Sequence, residues 1–207
     1  TFARNYLFPS VDLLSIFFDR LGIGSWIRCT NGYAGHDCSI ADLKCINEKL
    51  KGLDFYHIDE ACRHIFVGVH YDVEVTSKRN GKEILSDPMQ KITQVFCSPL
   101  AVGYNLTFHG NFSSFEHLAE LVLSAKYEAT ILAAERNRQL HQSVHASTVV
   151  YLSLLGCGVF ANKRLWIINS IRNTLYRMRD FPLDVRIIID RHYQTDIENM
   201  IDEFTSF

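Results

Sequence analysis

The sequence predicts an α/β domain, and three observations carry that expectation. Residues 148–155, TVVYLSLL, are almost all apolar or β-branched, the composition of a strand buried on both faces. Residues 115–140 have the length and alanine content of a long helix. A further helix over 163–179 and a strand over 184–189 complete a helix–strand–helix–strand alternation. Such alternation builds a βαβ unit, with a parallel or mixed sheet covered by helices on both faces.

The remaining elements follow from local chemistry. Residues 10–21, SVDLLSIFFDRL, read as an amphipathic helix with Ser10 as N-cap and Gly22 as C-cap. Residues 25–29 read as a short strand, and 30–37 as a loop. Ser39 caps a helix over 40–51, stopped by Gly52. Residues 65–76, IFVGVHYDVEVT, have the β-branched content and alternation of a strand. Residues 77–88 carry Arg-Asn-Gly and Asp-Pro and read as a flexible insertion. A second strand spans 92–97, a loop runs over 100–114, and a helix over 196–204 closes the chain.

At 207 residues and 47% hydrophobic, the chain has enough apolar material for one sizeable core. The reading is a single domain over 1–207, with a divergent part over 1–64 and a core over 65–207. A net charge of −2 gives no global field for nucleic acid or an anionic membrane. No run of 18 apolar residues suggests a membrane span. The six cysteines form no CxxC pair and several lie in apolar runs, which fits free thiols in the cytoplasm. His36, Cys38 and Cys45, with Cys29, lack the paired spacing of zinc modules, so no metal site is expected.

The chemistry concentrates in Gly156-Cys157-Gly158-Val159-Phe160-Ala161-Asn162, between the buried strand and the next helix. Ligands of open α/β sheets bind beyond the carboxyl ends of strands. A helix N-terminus there offers unpaired N–H groups and partial positive charge, which suit phosphate. Gly156 and Gly158 remove side chains where phosphate oxygens must approach the backbone. The same residues match GxGxxA, the permissive dinucleotide fingerprint, with Asp190 closing the next strand. No GK[ST] pattern is present, so a P-loop nucleotidase is not expected.

Residues 149–162, with GVF and Asn162 at their end, resemble the second phosphate-binding loop of macrodomains. Residues 93–104 and the helix over 118–134 extend the likeness, over about 65–190, to the divergent macrodomain ADP-ribosyl hydrolases of Legionella-type secreted effectors. The resemblance implies a three-layer α/β/α fold with a mixed central sheet and ADP-ribose as ligand, with no cofactor required. It also implies that the backbone of Gly156, Cys157, Gly158, Val159 and Phe160 wraps the diphosphate. Phe160 would pack on a ribose and Asn162 would fix the loop. Cys157 stands where a glycine is more usual, and the Gly-Gly-Gly run of familiar members has no counterpart here.

Candidate catalytic groups are His70, Asp72 and Glu74, which alternate on VHYDVEV and are expected on one strand face. Paired carboxylates raise one another's pKa, which suits an acid or base, or stabilisation of charge at the ribose C1″. The competing reading is an edge strand with a solvated polar face. Asn31 and Asp37 form a candidate first ligand loop, and Ser98 and Tyr104 are further candidate ligand contacts. The leading expectation is a monomeric ADP-ribosyl hydrolase acting on an ADP-ribosylated protein, working in a host cell if it is a bacterial effector. The alternatives are a non-catalytic ADP-ribose reader and, from GxGxxA, an NAD-binding oxidoreductase.

Overall fold

The computed structural model describes residues 14–27, 29–30, 33–34, 38–78, 81–85, 87, 89–105, 113–142, 144–189 and 194–205. It is a mixed α/β structure. Helix α1 (Ser15–Arg20) buries Phe17 and Phe18 and stops before Gly22, whose φ of 67° only glycine adopts freely. The expected cap Ser10 lies outside the described residues. The strand expected over 25–29 is instead a turn at 24–26, followed by the two-residue strands β1 (Cys29–Thr30) and β2 (Tyr33–Ala34).

Helix α2 (Ile40–Lys51) begins with a reciprocal cap, Ser39 accepting from the Asp42 amide and Asp42 accepting from the Ser39 amide. It buries Leu43, Ile46 and Leu50 at helical spacing. Helix α3 (Phe55–Cys62) has no counterpart in the sequence reading. Its start is set by Asp54, whose carboxylate accepts from the His57 amide at 2.9 Å.

Strand β3 (Gly68–Glu74) pairs antiparallel with β6 (Lys91–Phe96). The insertion between them is not a bare loop: β4 (Ser77–Lys78) and β5 (Glu83–Ile84) pair as a short hairpin. The long helix α4 (Glu116–Leu140) follows, then β7 (Val149–Ser153), α5 (Arg164–Arg177), β8 (Asp184–Ile188) and α6 (Gln194–Thr205). Strands β7 and β8 are parallel and in register from Val149–Asp184 to Ser153–Ile188, so the expected βαβ unit is present.

The described strands pair as four separate two-stranded sheets rather than as one central sheet. One expectation fails for a clear reason. In β7 only Val150 and Leu152 are buried in the core, whereas Tyr151 is 60% exposed. With β8 as its partner and the core on one side, β7 follows the two-residue period of a one-sided strand.

The core gathers Phe17, Leu43, Ile46, Phe115, Leu118, Val122, Trp166, Ile167 and Ile171 from α1, α2, α4, α5 and the turn before α4. Small polar residues let α4 and α5 approach closely. Ser170 and Thr174 on α5 donate to the backbone carbonyls of Glu120 and Ser124. Lys126 is fully buried in α4, its Nζ donating to the Phe66 carbonyl at 2.6 Å. No helix among the described residues is long and apolar enough to cross a membrane.

Candidate functional site

The glycine loop lies at the carboxyl end of β7, and its entry is fixed from α4. The Tyr127 hydroxyl donates to the Ser153 carbonyl and accepts from the Leu155 amide, both at 2.9 Å. Burial pushes this hydroxyl's pKa well above its ordinary value, so it remains a protonated donor. The chain then turns through Gly156 at φ 74°. A Cβ there would stand 2.5 Å from Pro99 Cγ and 2.6 Å from Asn162 Nδ2, so the position has no room for a side chain.

Asn162 closes the loop. Its amide donates to the Gly156 carbonyl at 3.0 Å, and its Nδ2 donates to the Leu100 carbonyl at 2.8 Å. Between them the Ala161 amide donates to the Gly158 carbonyl, with Ala161 in the left-handed region at φ 52°. The loop rests on residues 99–104, which follow β6. The Gly103 amide donates to the Phe160 carbonyl at 2.9 Å, and a Cβ on Gly103 would stand 2.3 Å from the Val159 carbonyl oxygen. The rings of Tyr104 and Phe160 meet edge to face, centroids 5.4 Å apart.

The tip faces solvent. A Cβ on Gly158 would meet nothing within 4 Å, and Val159 is 72% exposed. Among the described residues, the amides of Gly158 and Val159 donate to no group. Helix α5 begins immediately afterwards, with Lys163 at its N-cap and no side-chain cap. Two exposed amides without an acceptor and a helix N-terminus without a side-chain cap, headed by Lys163, form a surface that favours an anion.

Lys163 also links the loop to its surroundings. Its Nζ donates to Ser113 Oγ at 2.9 Å and lies 5.3 Å from the centre of the Trp166 ring. Ser113 belongs to the rim of a surface groove of about 450 Å³, lined also by Asn47, Lys51, Ser114, Glu116, His117 and Glu120. No loop residue lines that groove, and its charges are of both signs. The loop, with its amides of one polarity, is the better anion site.

The structure brings together Gly156, Cys157, Gly158, Val159, Phe160, Asn162, Ser98 and Tyr104 at the carboxyl ends of β6 and β7. Asn31 and Asp37 lie outside the described residues. His70, Asp72 and Glu74 are elsewhere. Glu74 pairs with Lys91, at the start of β6, whereas the loop rests on residues past its end. Seven residues of extended chain from Lys91 to Ser98 separate the two by roughly 20 Å.

Nor do the three share a face. His70 pairs with Gln94 and Val73 with Ile92, so three steps on β3 match two on β6. This bulge, with Asp72 at φ 54°, exchanges the faces beyond it. His70 falls on the side of Ile92 and Gln94, and Glu74 on the side of Lys91 and Thr93, where Thr93 bonds Asn137 of α4. Asp72 faces His141 at the end of α4, 3.6 Å away.

Several structural parts of the site escaped the sequence reading. Gly103 left a visible signal, a second glycine in a loop after a strand. Pro99, two residues past the strand expected over 92–97, left no signal of its own for the site. Tyr127 left none, since a tyrosine in an apolar helix has many uses. No protein-family model, curated protein or solved structure matches the chain.

Proposed function

We propose that this chain binds ADP-ribose through residues 156–162 and holds it as a reader of ADP-ribosylated protein. One observation carries the reading: an exposed glycine tip with two amides that have no acceptor among the described residues, at the carboxyl end of a parallel βαβ strand and before a helix N-terminus without a side-chain cap. The edge-to-face pair of Tyr104 and Phe160 beside the tip supplies aromatic surface suited to a sugar. A three-layer macrodomain arrangement is part of this proposal and rests on the sequence resemblance.

Binding is favoured over hydrolysis because Glu74 pairs with Lys91 at the start of β6, away from the loop, and Asp72 faces His141 of α4. A group must stand within hydrogen-bond reach of the bond it cleaves, directly or through one water. Neither Glu74, opposite Lys91, nor Asp72, against His141, stands beside residues 156–162 in the strand register.

The test is a calorimetric titration with ADP-ribose, NAD and AMP. ADP-ribose should bind tightest. NAD binding tighter than ADP-ribose would instead favour the oxidoreductase reading. Gly158→Glu should abolish ADP-ribose binding while leaving the circular dichroism and melting temperature near wild type, because the site of the new side chain is open. Unchanged affinity in that variant would remove the loop from the site. Release of ADP-ribose from a modified protein by the wild type would replace the reader with a hydrolase.

A further inference from the structure

Asn162 holds a buried acceptor that the loop itself does not use. The residue is 4% exposed, and its Oδ1 is fully buried with no hydrogen-bond partner among the described residues. Its Nδ2 is engaged by the Leu100 carbonyl at 2.8 Å and approaches the Phe160 carbonyl at 3.4 Å. Reversing the amide would set Oδ1 against those two carbonyl oxygens, so the orientation follows from the contacts. The carboxamide is lodged between the limbs of the loop, against Gly156 on one side and Phe160 on the other. Buried polar atoms almost always have a partner, and one left over at a functional loop calls for a donor.

We propose that the donor is a sugar hydroxyl of the ligand, and that Asn162 Oδ1 makes the loop selective for a diphosphate carrying a sugar over a bare one. This rests on the reading of the loop as a diphosphate site. Ionised phosphate oxygens only accept hydrogen bonds, so they satisfy the free amides of Gly158 and Val159 but not Oδ1. A ribose flanking the diphosphate supplies the missing donor within the same ligand. The tip must lift for the hydroxyl to reach Oδ1. A Cβ on Gly158 would meet nothing within 4 Å, so no side chain covers the tip, and lifting it breaks the bond from the Ala161 amide to the Gly158 carbonyl. Ala161, next to Asn162, is held in the left-handed region at φ 52°, a strain that lifting the tip relieves.

The experiment is nuclear magnetic resonance on the isotope-labelled 207-residue chain, titrated with ADP-ribose and separately with dimethyl diphosphate, which has the diphosphate but no sugar. Both ligands should shift the backbone amides of Gly158 and Val159, and ADP-ribose alone should shift the Asn162 carboxamide. Asn162→Ala should lower the affinity for ADP-ribose roughly tenfold more than that for dimethyl diphosphate, the loss of one bond to a buried acceptor. A carboxamide that shifts equally with both, or with neither, would overturn the selectivity while leaving the diphosphate site intact. Backbone amides that respond to neither ligand would remove the site itself and the selectivity with it.

Discussion

Two residues decide whether the loop can exist in its observed form. Gly156 combines a φ of 74° with a Cβ position 2.5 Å from Pro99 and 2.6 Å from Asn162. Gly156→Ala should therefore cost about 2–4 kcal/mol, from left-handed strain and overpacking together, read from denaturant midpoints. Tyr127 acts from beneath. Tyr127→Phe removes the hydroxyl that serves both the Ser153 carbonyl and the Leu155 amide, and should destabilise the protein by about 1–3 kcal/mol. Hydrogen exchange at Leu155 should rise in this variant; protection equal to wild type would show that the bond does not hold the loop. Gly156 was legible in the sequence because glycine is the common residue at positive φ. Tyr127 was not, because the partner that gives it meaning lies 28 positions away.

At the scale of elements, helix α4 carries its own electrostatic clasp. Arg138 donates to both carboxylate oxygens of Glu135 at 2.8 Å, and Gln139 adds a third bond. Arg138 first, and Gln139 after it, lower the Glu135 pKa from 4.5 to about 2 against the opposing effect of burial. A carboxylate whose folded-state pKa is depressed stabilises the fold above its unfolded pKa. That contribution is lost as pH falls from about 4.5 to about 2. Glu135→Gln should be less stable than wild type at neutral pH, and the difference should vanish by about pH 2 in urea titrations. A constant difference across that range would sink the assignment.

The elements also show where local pattern failed. The helices over 40–51 and 116–140 were legible from caps and composition. Helix α3 was not, because it is only eight residues long and two of its aromatic residues, Phe55 and Tyr56, are exposed. Alternation on β3 was visible, but the bulge was not. A bulge is a property of the pairing with β6, so no pattern within one strand reveals it.

Across the whole molecule, the loop follows the carboxyl end of β6, whereas Glu74 pairs with its start and Asp72 faces the end of α4. Substitutions so far apart with no shared partner act independently. Asp72→Ala and Glu74→Ala should each leave ADP-ribose affinity within about twofold of wild type, whereas Gly158→Glu removes it. Calorimetry on the three variants checks this, and a large loss in either carboxylate variant would mean that the two ends communicate. Asp72→Ala should also remove the contact with His141, visible as a change in the His141 ring resonances.

The sequence by itself determined the βαβ unit and the position of the glycine loop between its first strand and its helix. Those follow from apolar runs, turn residues and spacing, all local quantities. Only the tertiary structure decided that residues 99–104 form the bed on which the loop rests, that Tyr127 pins its entry, and that Asn162 keeps an unused acceptor within it. It also decided that His70, Asp72 and Glu74 stand apart from the loop and from one another. The direction in which two strands pair, and the one residue by which their register slips, arise between segments and have no signature in either alone.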